Sequence, residues 1–162
     1  MLTQSQLTTL KAAMLADPVV GPLAQAGDWW GASAALNKQA SPDFIVWKTA
    51  VHLDEIMQNG FDWTQVDNTT VGKARIWEWM FANESRSINA SKANIRAGID
   101  EAWKGTAAML AVRAAVYAHC KRPALLGEKM LATGTGTNNE PATMGYEGGL
   151  GAQDVADAMQ EG

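Results

Sequence analysis

TAAMLAVRAAVYAHCKRPALLGEKMLA, residues 106–132, is the stretch from which the rest of the chain is read. Met109, Val112, Val116, His119, Pro123, Leu126 and Met130 recur at alternating spacings of three and four, the mark of one helix face. Leu110, Tyr117, Ala124 and Leu131 run beside them at sevens. Together they predict one wide-faced, core-packed helix, roughly 40 Å long at about 1.5 Å per residue. Thr106 after Gly105 supplies its cap and Gly134 its stop. Pro123 has no N–H for the carbonyl of residue 119, so the rod is expected to kink near His119. A break into two helices at Arg122–Pro123 is the alternative. Arg113, Lys121, Arg122 and Lys129 fall on the side away from the apolar lines.

Downstream the composition changes. TGTGTNNEPATMGYEGGLG, residues 133–151, is made of small and turn-forming residues, with Met144, Tyr146 and Leu150 spaced along it as anchors. Such a stretch forms no core by itself, and the anchors suit a segment laid against a partner. A last short helix is expected over Gln153–Gln160. The chain thus reads as a helical body, 1–132, followed by an extended C-terminal arm, 133–162. The fold class expected is all-α, a small helical bundle with one long helix.

Upstream, Thr3 with Gln6 makes a capping-box pattern ahead of Leu7, Leu10, Met14 and Leu15. Pro18 to about Gln25 gives a short second helix, and Asp28 caps a third over Trp29–Lys38. Phe44–Val51 is the one segment with strand character, read as an edge or extended piece because no partner strand is evident. Two helical turns follow over His52–Asn59, closed by Gly60. Thr69–Thr70 cap a helix over Val71–Asn83 whose centre reads IWEWMF. Trp77, Trp79 and Phe81 cover so much of its girth that burial against another subunit is expected. Ser91 is read as the cap of the helix carrying Ile95, Ile99 and Trp103.

At 162 residues the chain fits one domain with a real core. A net charge of −4 disfavours a nucleic-acid surface overall. The single cysteine, Cys120, excludes an internal disulfide and suits a reducing compartment. The N-terminus lacks the features of a signal peptide, and no apolar run is long enough to span a membrane. Matches to N-x-S/T at Asn68, Asn83 and Asn89 are therefore read as chance. Seven tryptophans are many for a chain this short, and divide between bulky core and partner contacts.

Catalytic chemistry finds little to work with. His52 beside Asp54 and Glu55 reads as a solvated turn, and His119 as a hydrogen-bonded core histidine. His119 and Cys120 are neighbours, about 100° apart on a helix, so they make no nucleophile–base pair. Gly134–Thr137 follows a helix where a phosphate loop would open one. Glu78 and Glu84 give no reason to converge on one glycosidic bond. No catalytic residue, metal ligand or cofactor is assigned.

The segments LKAAMLADP (10–18), VWKTAV (46–51), NIRAGI (94–99) and above all LATGTGTNNEPATMGYEG (131–148) resemble short proteins encoded in the structural-gene clusters of tailed bacteriophages. The likeness runs from Leu10 to Tyr146. Within such clusters a helical protein with a C-terminal arm is similar to the head-to-tail adaptor, or connector, proteins. The resemblance implies a homo-oligomeric ring of twelve subunits beneath the phage portal protein. It also implies contact with a tail or nozzle protein, transient contact with passing DNA, and no membrane. The implied location is the head–tail junction of the virion, after synthesis in the host bacterial cytoplasm. On this reading Met144, Tyr146 and Leu150 seat the arm on the portal, with Arg122 and Lys129 at its root, while Trp77, Trp79 and Phe81 meet neighbouring subunits. Other readings are a capsid-decorating or tail-tube subunit, a peptidoglycan hydrolase using carboxylates such as Glu55 and Glu78, and a small regulator of host proteins.

Overall fold

The computed structural model describes residues 1–161. Those residues are 52% helical and 11% strand, with nine α-helices and three small two-stranded antiparallel sheets. The all-α expectation is therefore corrected to a mixed, mostly helical fold. The chain divides into two compact units, one built from residues 1–46 and 123–162, the other from 47–122. The first is discontinuous: the two ends of the chain build it together.

In the discontinuous unit, α1 (Gln4–Ala16) starts on a capping box in which Thr3 and Gln6 satisfy each other's backbone N–H. Its Leu10 and Met14 are fully buried. Asp28 caps α3 (Trp29–Leu36) by accepting from the Gly31 N–H, and α2 (Val20–Gln25) precedes it. From the other end of the chain come α8 (Leu126–Met130) and α9 (Ala152–Gln160). Val155 and Ala158 of α9 join Leu10, Met14, Leu36 and Leu150 in one apolar cluster. The pair β5 (Ala132–Thr133) and β6 (Thr143–Met144) places Ala132 opposite Met144.

The long helix expected over 106–132 is two helices. α7 (Ala107–His119) ends with Cys120 as its cap, and residues 121–123 form β4 (Lys121–Pro123) before α8 begins. Proline disfavours helical backbone in the residue before it, so Arg122 leaves the helical path and the rod stops where a kink was expected. The extended arm is corrected as well. Residues 133–161 fold back onto their own chain, and Leu150 is 1% exposed.

The continuous unit holds β2 (Val51–His52), α4 (Leu53–Gln58), a 3-10 turn at Trp63–Gln65, α5 (Val71–Met80), β3 (Ser87–Ile88), α6 (Ala93–Ala102) and α7. The strand-like segment at Phe44–Val51 does find partners: β1 (Ile45–Trp47) pairs with β4, and Val51 lies opposite Ile88. Thr70 and Thr106 cap α5 and α7 through their hydroxyls, as their sequences suggest. Ser91 does not cap α6; Lys92 holds that position, and the Ser91 hydroxyl donates to Asn89 at 2.5 Å. The core gathers Trp47, Val51, Ile56, Phe61, Ile99, Val116 and Cys120.

Candidate functional site

The residues expected to seat an arm on a partner are engaged within the chain. The Leu150 N–H donates to Asn37 Oδ1 at 2.8 Å, and the Leu150 carbonyl accepts from Ser33 Oγ at 2.7 Å and Asn37 Nδ2 at 2.9 Å. Tyr146 packs on the same core and its hydroxyl donates to the Gly149 carbonyl at 3.0 Å. Met144 lies in β6 against a small cluster of Val46, Ala124 and Ala142. Lys129 holds its ammonium 5.7 Å from the Phe44 ring centre. Arg122 is half-buried in β4.

Glu128 organises this region, and local sequence gives no hint of it. Only 1% exposed, its carboxylate accepts from the Leu125 N–H and from the Gly148 N–H, each at 2.9 Å. Two backbone donors on one buried carboxylate make charge-assisted bonds that tie the start of α8 to the loop entering α9. The glycines nearby serve close approach, not anion binding. Gly136 has φ +68°, and a Cβ there would lie 2.2 Å from the Phe44 ring.

The basic group read on one helix is divided between separate elements. Arg113 pairs with Asp100 at 3.5 Å, and Lys121 lies 5.6 Å from the Trp47 ring centre. His119 Nε2 sits 3.0 Å from the Asn59 carbonyl and Nδ1 3.8 Å from Glu55, whose carboxylate also pairs with Lys48 at 2.5 Å. His52 Nδ1 meets the Ser85 carbonyl at 3.1 Å. Among the described residues no group of three His, Cys, Asp or Glu could hold a metal ion, and no helix is long and apolar enough to cross a membrane.

The continuous unit carries aromatic side chains open to a partner. Trp77 stacks 6.4 Å from Phe61, and meets Trp103 edge-on at 5.3 Å and Phe81 at 5.0 Å. Phe81 is 5% exposed and belongs to this core. Trp77 is half-buried against it. Trp79, on the same helix, is 72% exposed. Trp63, Val66 and Val71, in the turn before α5 and at its start, are exposed as well. A cavity of about 130 Å³ is lined by Trp63 and Val66 together with Phe61, Ala74, Trp77 and Trp103 among others. No family model, curated protein or solved structure matches the chain. The site therefore has to be read from its own chemistry: large apolar side chains in water, a ring-sized hollow among them, and few charges.

Proposed function

We propose that the chain is a structural subunit of a tailed-phage virion, an adaptor that assembles as a ring between the portal and the tail. The observation that carries the reading is the exposure of Trp63 and Val66 side by side at one cavity, with Val71 and Trp79 of α5 exposed as well. Monomeric proteins seldom leave large aromatic and branched side chains together in water unless a partner covers them. The sequence likeness to phage structural-cluster proteins supplies the context, and the net charge of −4 suits a channel that does not hold DNA back.

The mechanism differs from arm docking. Residues 133–161 close one unit of the subunit, so neighbours and portal meet formed surfaces, among which the α5 face is foremost. Rigid surfaces repeated around a ring gain by avidity without the entropy cost of ordering a tail.

Light scattering of the purified chain alone and with portal tests the proposal. Ring-sized mass on the portal is the expected result. A monomer or dimer in both samples, or capture by capsid protein with none by portal, would defeat it.

A further inference from the structure

The cavity under Trp63 has the dimensions of a socket. Its volume, about 130 Å³, approaches that of an apolar cavity known to take benzene, about 150 Å³. Its walls are Phe61, Ala74, Trp77 and Ala102, with Trp63 exposed beside them.

The Trp103 indole Nε1, without a hydrogen-bond partner among the described residues, is sealed from the surface and so from any occupant. One donor in the lining asks for something more than a hydrocarbon. Lys73 gives one bond to the Lys104 carbonyl at 2.5 Å, and no carboxylate lies within ion-pair distance of it among the described residues. Glu78 is the single acidic residue of the lining. A fitting occupant brings one ring and an acceptor next to it.

This chain carries such a group on its other unit. Trp29 packs into the core there, while Trp30 is 79% exposed. Asp28, exposed two residues earlier, caps α3 with Oδ1 on the Gly31 N–H at 2.9 Å. A carboxylate accepts about four hydrogen bonds, so capacity remains after that one. Among the residues from 12 to 37 the only charges are Asp17 and Asp28.

We propose that Trp30 of a second copy enters the socket, its Asp28 carboxylate pairing with the Lys73 ammonium. The contact joins two different patches, so it is heterologous and propagates from copy to copy, as a ring requires. The inference rests on the ring reading above and names the residues through which copies meet.

Complementation between two variants tests it. Trp30→Ala removes the plug and keeps the socket; Ala74→Leu fills the socket and keeps the plug. Sedimentation of the wild type should show association rising with concentration. Each variant alone should associate at least roughly 30-fold more weakly, as loss of a central tryptophan contact implies. An equimolar mixture of the two should form a one-to-one heterodimer and stop there, because only one plug and one socket survive. Circular dichroism melts establish that both variants fold; if Ala74→Leu does not, Trp30→Ala, at an exposed position, carries the test by itself. A wild type that stays monomeric, variants that associate as it does, or a mixture that stays apart overturns the proposal. Rings on the portal from Ala74→Leu protein would remove this contact yet keep the adaptor reading, and a heterodimer from the two variants with no portal rings from the wild type would do the reverse.

Discussion

Cys120, for which the sequence offers no catalytic partner, is also inert in place. It is fully buried at the end of α7, and burial pushes its thiol up to about 12 from the ordinary 9.0. Tyr117, a turn earlier, is raised as well, chiefly by burial and then by the negative charge of Asp100, whose carboxylate accepts from its hydroxyl at 3.1 Å. For both groups the folded state holds its proton to higher pH than the unfolded chain does. Stability from these groups is therefore whole below about pH 9 and declines as pH rises from there toward 12. Urea midpoints should stay level from neutral pH to about 9 and then fall, with the fall shallower in Cys120→Ala. A midpoint that climbs over that interval would contradict the burial argument. The thiol should also resist disulfide reagents at neutral pH until the chain is unfolded, since thiolate is the reacting form. Glu128 marks the limit of reading at this scale. A glutamate within a helical pattern is ordinarily solvated, and its role depends on Gly148, which returns to it from twenty residues further along.

Helices were the most legible elements, and their ends were legible where a cap is local. Thr3, Asp28, Thr70 and Thr106 all accept the backbone N–H that their positions imply. The apolar period misled where it ran across a break. Leu126 and Met130 continue the stripe of α7 because α8 also turns an apolar side to its core, so spacing alone could not expose the strand between them. The tail misled for a related reason. Its composition suits irregular backbone, yet irregular backbone that finds partners is as fixed as a helix. The α9 helix contributes Val155 and Ala158 to the cluster around Leu10 and Leu36, and that cluster should not survive its loss. Ending the chain at Leu150 should abolish hydrogen-exchange protection over α1 and α3. Retained protection there would mean that α9 is an appendage after all.

At the scale of the molecule, what the sequence could not disclose is how its ends meet. Strands of two or three residues carry no readable period, and the bonds from Asn37 and Ser33 to Leu150 span more than a hundred residues. The count of tryptophans says nothing of which ring goes where, and the rings divide between buried and exposed positions. Trp103 belongs to the core and is 2% exposed; Trp79, on α5, stands in water. Removing each should therefore produce opposite signatures. Trp103→Ala opens a cavity where several rings converge and should cost about 3–5 kcal/mol in denaturant unfolding. Trp79→Lys gives up little burial, so stability should change by no more than about 0.5 kcal/mol. If the α5 face is a subunit contact, the same substitution places a hydrated charge where an aromatic ring should be covered, and portal-dependent assembly should fall sharply while the melt stays unchanged. An unchanged assembly would show that this face remains bare in the ring and that some other surface holds the subunits together. A lost melt would show instead that Trp79 supports its own subunit, contrary to its exposure. Only the combination of intact fold and failed assembly fits a side chain kept in water by the monomer for the sake of its neighbour.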